Sequence, residues 1–331
     1  SGGDAAANGF TVSVSDQAVL AFSFSGAVIP AGDGTLVNLD GNVTQGCLSD
    51  FVFSGSGGTS LTVGFGDGGE PPCDDVDGDG VEDAAVAATR DSDGGTESGA
   101  LVILFLTTDG MVRSAQKLSN YYGNLPFTLN SYDYFGISSA VIGDLDGDGV
   151  IDLAVGANGD DDSTLRSGAV YVLFMTTSGV VKSAQKISNL YGNLPFVFDS
   201  LDSVGRGCSP LQDLNGDGVM DLIVGASGDD DGGSSAGAAY VLFLTTAGLV
   251  TGGQKISNSY GVLSSFYTLD TDDDFGAATC AMGDLDGDGV IDVVVTARYD
   301  SDGVANAGAA YVIFLTTDGL VKSAQKISNS Y

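Results

Sequence analysis

A nine-residue pattern, Asp-x-Asp-Gly-Asp-Gly-x-x-Asp, occurs four times in this 331-residue chain and sets a period for most of it. It reads DVDGDGVED at residues 75–83, DLDGDGVID at 144–152, DLNGDGVMD at 213–221 and DLDGDGVID at 284–292. The first residues of successive copies lie 69, 69 and 71 residues apart. An interval of this length marks a repeat architecture, in which one supersecondary unit recurs and each copy buries its faces against its neighbours. One copy would be a weak motif. Four copies in register, with repeated flanks, predict one cation site per unit.

Calcium is a hard cation that takes six to eight oxygen ligands, and alternating acids in a tight loop aim several oxygens at one centre. About four calcium ions are therefore expected. The first would be held by Asp75, Asp77, Asp79 and Asp83 with the carbonyl of Val81, and the second by Asp144, Asp146, Asp148, Asp152 and Val150. The third would use Asp213, Asn215, Asp217, Asp221 and Val219, and the fourth Asp284, Asp286, Asp288, Asp292 and Val290. The intervening glycines permit the positive φ such a loop needs. Asn215 keeps an oxygen but removes a charge, so the third site is expected to be the weakest. The loop is similar to the start of an EF-hand loop, but its last acid falls at position nine, not twelve. The segments that follow, such as LAVGA and VVVTA, are apolar and partly β-branched, so the loops are read as joining strands. The plain alternative is a solvated acidic turn. Against it, four like charges within nine residues repel unless a cation sits among them.

The net charge of −33 makes nucleic acid an unsuitable partner, because binding it needs Lys and Arg against phosphate. An anionic membrane surface is disfavoured for the same reason. Four calcium ions would reduce the charge to about −25. Much of the rest lies in loops such as GDDDS (159–163) and GDDDG (228–232), read as solvated loops or as extra weak cation sites. The chain has no His, which removes the commonest general base and metal ligand. No nucleophile–base pair, phosphate-binding Gly-Lys loop or zinc spacing stands out, so the chain is read as not an enzyme. Of the four cysteines, Cys47 could bond Cys73 and Cys208 could bond Cys280, while small buried thiols are an equal alternative. No run approaches the roughly 18 apolar residues of a membrane span. The sequence at Ser1 is not a signal peptide, which leaves a processed form or a piece of something longer.

From about residue 66 the chain is a repeat array, with units at about 66–122, 123–191, 192–260 and 261–331. The three full units share their parts. A GNLPF-like connection leads to Phe135-Gly136, Val204-Gly205 or Phe275-Gly276, then a short strand, the Asp-rich loop and a strand such as 153–157. A variable acidic loop follows, then a long apolar strand such as 169–176, a two-residue turn with Gly, and a polar-edged strand such as 180–188. The first unit lacks a clear opening strand. Four strands joined by hairpins make an antiparallel sheet, and the continuous apolar run of the third strand requires cover on both faces. The expected fold is therefore all-β, a β-propeller of four-stranded antiparallel blades. All six lysines lie in the fourth strands, where charges on an edge resist unwanted pairing.

Phe-Gly, Gly-Asp-Leu-Asp-Gly-Asp-Gly, Leu-Ala-Val-Gly-Ala and Gly-Ala-Val-Tyr-Val, in that order, resemble the FG-GAP repeat of integrin α-subunit propellers. The resemblance covers about residues 66–331. It implies calcium in the Asp-rich loops and blades of a propeller that closes with seven repeats. Two departures stand out: Asn158, Ser227 and Arg298 replace the Pro of Gly-Ala-Pro, and only about four repeats are present. A truncated, incomplete seven-bladed ring is the expectation, over a ring closed with few blades.

Residues 1–65 alternate apolar and polar positions between Gly and Pro turns and read as a β-sandwich-like segment, partial at this length, weakly similar to cohesin-like extracellular modules. Asn42 opens the single N-glycosylation sequon. The expected role is an extracellular or cell-surface structural and adhesion protein, an interaction scaffold that meets other extracellular proteins or glycans or assembles with itself. The alternatives are a glycan-binding propeller and a non-catalytic module of a larger secreted enzyme. Tyr122, Tyr191, Tyr260 and Tyr331 recur at matching positions, and packing between blades is the stronger reading for them.

Overall fold

The structure, a computed structural model, describes residues 11–14, 19–22 and 75–329 apart from 163 and 303. The chain divides into two compact units, 1–70 and 71–331. In the first, β1 (Thr11–Val14) and β2 (Val19–Phe22) form an antiparallel pair, with Thr11 opposite Phe22 and Val14 opposite Val19. Cys47, Cys73, Asn42 and most of the sandwich-like segment lie outside the described residues, as does Tyr331.

The second unit is four antiparallel sheets in chain order. The first has three strands, β3 (Ala84–Ala87), β4 (Leu101–Leu106) and β5 (Val112–Leu118). The second has β6 (Ser139–Val141), β7 (Leu153–Ala157), β8 (Ala169–Met175) and β9 (Val181–Ile187). The third has β10 (Val204–Pro210), β11 (Leu222–Ala226), β12 (Ala238–Leu244) and β13 (Val250–Ile256). The fourth has β14 (Phe275–Gly283), β15 (Asp292–Ala297), β16 (Ala309–Leu315) and β17 (Val321–Ile327). Each sheet runs in sequence order, as hairpin-linked propeller blades do. The hairpin between the last two strands is longer than the two-residue turn expected. In the second sheet it spans residues 176–180, closed by Gly179 N–H to Thr176 O (2.8 Å) and Thr176 N–H to Val180 O (3.0 Å) beside a bulge at Phe174.

Burial follows the apolar pattern. Every residue of β7, β8 and β11 is buried, because those strands have a sheet on each side. In β4 and β16 burial alternates, because only one face is covered. Three cores result, one between each pair of successive sheets. The first contains Leu101, Ile103 and Phe105 against Tyr171, Leu173 and Met175. No core among the described residues joins the first sheet to the fourth. Cys208 stands opposite Val224 and Cys280 opposite Val294, one register position apart. They therefore point to opposite faces, Cys208 into the core between the second and third sheets and Cys280 outward. Both are free thiols, so the bond between neighbours is not made.

Glycine sets the blade spacing at two junctions. A Cβ on Gly156 would lie 1.9 Å from the backbone oxygen of Gly205 in the next sheet, and one on Gly225 would lie 1.9 Å from that of Gly276. At the same place in the last sheet stands Thr296, whose hydroxyl accepts from Ala278 N–H (3.0 Å).

A polar staple recurs beside each core. Lys186 Nζ reaches Asp160 (2.7 Å) and Asp162 (2.6 Å), and Tyr171 donates its hydroxyl to Asp160 (2.7 Å). Lys255, Asp229, Asp231 and Tyr240 repeat it, as do Lys326, Asp300, Asp302 and Tyr311. In the first sheet Lys117 joins Asp91 and Asp93, and Val102 stands where the Tyr would be. Asp160, Asp229 and Asp300 are buried, which overturns the solvated-loop reading of the variable acidic loops for these residues. The charges of Lys186, Lys255 and Lys326 are likewise turned inward, onto buried carboxylates. The tyrosines between blades are Tyr171, Tyr240 and Tyr311, while Tyr122, Tyr191 and Tyr260 are more than half exposed. Those three sit at the surface within reach of Lys117, Lys186 and Lys255, which lie 5.6–5.9 Å from their ring centres.

Beside each of the three complete staples lies a further buried acid, of which Asp273 is pushed up to about 6 by burial reinforced by Asp300. Burial, reinforced by Asp160, pushes Asp133 up to about 7; burial, reinforced by Asp229, does the same to Asp202. Asp133 Oδ2 accepts from Asn130 N–H (2.7 Å), while its buried Oδ1 has no partner, so the folded state favours the protonated acid. A group whose folded pKa is raised contributes stability that is complete below its unfolded pKa and is lost as pH rises through the folded value. Asp133 and Asp202 should therefore each cost about 1.4 kcal/mol of stability per pH unit between about 4 and 7. Melting in EDTA should fall from pH 5 to pH 7.5, and Asp133→Asn with Asp202→Asn should flatten the slope. An unchanged slope in that double variant would contradict the assignment.

Candidate metal centre

The second, third and fourth Asp-rich loops join the first two strands of their sheets, the first leads into β3, and each is built on its last acid. Asp152 is fully buried. Its Oδ2 accepts from Leu145 N–H (3.0 Å) at the start of the loop, and its Oδ1 from Met175 N–H (2.9 Å) at the end of β8. Asp83 holds Val76 and Leu106 in the same way, Asp221 holds Leu214 and Leu244, and Asp292 holds Leu285 and Leu315. Burial raises all four, Asp152 and Asp221 to about 6, against the lowering effect of these backbone donors. The first acid shapes the loop. Asp144 Oδ1 accepts from Gly147 N–H (2.8 Å) and Asp148 N–H (2.9 Å), and its Oδ2 from Gly149 N–H (2.7 Å). Gly147 and Gly149 have φ of 78° and 87°, which turns the chain twice within three residues.

The result is convergence. Asp75, Asp77 and Asp83 each offer an oxygen within 4.8 Å of the others; Asp144, Asp146 and Asp152 do the same, as do Asp284, Asp286 and Asp292. Calcium–oxygen distances of 2.3–2.6 Å allow two ligands of one ion to lie up to about 5 Å apart. The three acid sets therefore fit a calcium ion in both donor type and spacing. In the third loop Asn215 takes the middle place, and its amide donates to Asp217 Oδ2 (3.1 Å). Asp79, Asp148 and Asp288 fall outside the three closest sets. Asp148 Oδ1 accepts from Val150 N–H (2.9 Å).

Sequence reasoning missed the cations that face these loops. Lys182, on β9, reaches Asp146 Oδ2 (2.7 Å) and also Asp148. Lys322, on β17, reaches Asp286 (2.6 Å) and Asp288 (2.5 Å), and Arg113, on β5, pairs with Asp77 and Asp79. In the third sheet the equivalent residue is Thr251, whose hydroxyl donates to Phe243 O (3.2 Å) instead. The signal was a constant offset: each cation lies 36 and 34 residues beyond the two acids it meets.

Comparison with known proteins agrees with this geometry. The FG-GAP repeat family matches at residues 135–173 and 209–242, which span parts of the second and third sheets and include the whole of the second and third Asp-rich loops. Integrin alpha-5 of Xenopus laevis is 31% identical over 163 residues, covering 47% of this chain and 14% of the relative. Integrin alpha-7 of Homo sapiens is 32% identical over 174 residues, covering 52% of this chain and 13% of the relative. The chain thus matches a small part of these relatives' length. Among solved structures, rhamnogalacturonan lyase YesW aligns over 70% of this chain and 43% of its own, at 15% identity and a TM-score of 0.32, too remote a likeness to bear on function.

Proposed function

We propose, for a chain that carries FG-GAP repeats and resembles integrin α-subunits over that part, that it is a calcium-binding extracellular adhesion module. The observation that carries this reading is the convergence of three carboxylates in each of three loops, anchored on a buried fourth-position acid. The proposed ligands are Asp75, Asp77, Asp79 and Asp83; Asp144, Asp146, Asp148 and Asp152; Asp213, Asn215, Asp217 and Asp221; and Asp284, Asp286, Asp288 and Asp292, with the carbonyls of Val81, Val150, Val219 and Val290. Bound calcium would supply the counter-charge that lets each loop close. The chain's own part is to hold the loop between strands, so that ion and blade form one rigid piece. Integrin α-subunits are cell-surface proteins, which supports an extracellular setting and protein partners. We read the module as non-catalytic: its most perturbed acids are engaged by backbone N–H groups or enclosed between blades. A direct test is to immobilise the chain and offer it extracellular matrix proteins and free copies of itself, in calcium and in EDTA. Binding that requires calcium is expected. Binding that is equal in EDTA, or absent from every partner, would contradict the reading.

A further inference from the structure

We infer that Arg113, Lys182 and Lys322 are tethered competitors of calcium, which lower the affinity of their three loops to the level of the third. This rests on the calcium reading above. The three cations sit on the last strands of their sheets, with side chains 35–41% exposed, and each engages two carboxylates proposed as ligands. The exception is informative. Asn215 replaces an acid only in the loop whose facing strand has Thr251 in place of the cation. Counting only the proposed ligands, four carboxylates with one cation, or three with none, leave each set and its facing residue at a net charge of −3, with Glu82 adding one further charge in the first loop. The Asn215 amide donates to Asp217 Oδ2, the counterpart of the Asp148 oxygen that Lys182 engages. The third site is therefore not the weakest of the four, because it lost a competitor together with a charge.

Two opposite effects follow. A calcium ion entering the second loop must displace Lys182 from Asp146 and Asp148 and then tolerate its charge nearby, which weakens binding roughly tenfold for a separation of about 5 Å in water-like surroundings. Without calcium, the same ammonium relieves the repulsion between those acids and holds the loop in its liganding shape. A merely structural ion pair would show only the second effect.

The test uses the full chain and a triple variant, Arg113→Met, Lys182→Met and Lys322→Met, with calorimetric calcium titration and melting in EDTA. The expected result is calcium affinity raised roughly tenfold at three of four sites, with a lower melting temperature in EDTA. The converse variant, Thr251→Lys, should weaken one site by a similar factor, and it adds a side chain to an exposed position without removing any contact of the loop. A triple variant with a lowered melting temperature but an unchanged isotherm would overturn the inference and leave the calcium reading standing. A wild-type chain that takes up no calcium would overturn both.

Discussion

Excess EDTA is expected to lower the melting temperature of this chain by roughly 20 °C or more. An ion that binds only the folded state stabilises it by about 2.7 kcal/mol when free calcium is 100-fold above the dissociation constant. Four sites acting together would supply about 11 kcal/mol under that condition. For a unit of this size each kcal/mol shifts melting by about 2–4 °C. The structure gives the cause. Removing the ion leaves Asp75, Asp77 and Asp83, or their counterparts, with oxygens within 4.8 Å of one another and only an exposed Arg or Lys to offset them. The repulsion acts on loops that tie two strands of each sheet together through a buried acid. Extracellular calcium modules have dissociation constants around 10⁻⁴–10⁻³ M, so calcium of about 10–100 mM should be needed to restore the full shift. The same melting temperature in calcium and in EDTA would remove calcium from the account of stability.

Gly225→Val is expected to destabilise the chain by about 4 kcal/mol or more, placing it among the costlier single substitutions. The first atom of any side chain there would lie 1.9 Å from the backbone oxygen of Gly276, a distance that only movement of the whole next sheet can relieve. Such movement would open the core in which Val241 and Ala239 meet Tyr311 and Ile313. The control is Thr296→Ala, at the same register position of the last sheet. There the loss is the hydroxyl's two hydrogen bonds to the Ala278 backbone, and the expected cost is about 1–2 kcal/mol. Urea unfolding of both variants in saturating calcium would measure the contrast. Equal costs would show that Gly225 does not set the spacing.

Much of this architecture was legible because it depends on local chemistry repeated at a fixed interval. The apolar run at 169–176 implied cover on both faces, and β8 is buried throughout. The strand read at 153–157 coincides with β7. What was not legible depends on pairing across the sheet. The inter-blade role was considered for Tyr122 and its equivalents because they stand out at the unit ends, yet Tyr171, Tyr240 and Tyr311 hold it. Their cue was the constant 11-residue step from Asp160, Asp229 and Asp300, with a lysine 26 residues beyond each acid. Lysines in an outer strand read as edge protection because sequence gives no direction to a long side chain. In the fold one lysine in three of these four strands reaches inward to a buried acid, Asp160, Asp229 or Asp300. The alternative of a Cys208–Cys280 bond failed for a related reason, since a one-residue difference in register sends the two to opposite faces, while Cys208 is the small buried thiol of the other reading.

The central claim is that each blade holds one calcium ion in its Asp-rich loop. Equilibrium dialysis against millimolar calcium, with metal content measured per chain, tests it most directly. The account predicts about four calcium ions per chain, falling to about three when Asp144 and Asp146 are both replaced by Ala, with magnesium a poor competitor because it demands tighter octahedral geometry. A chain that retains no calcium, or one whose uptake is untouched by those substitutions, would contradict it.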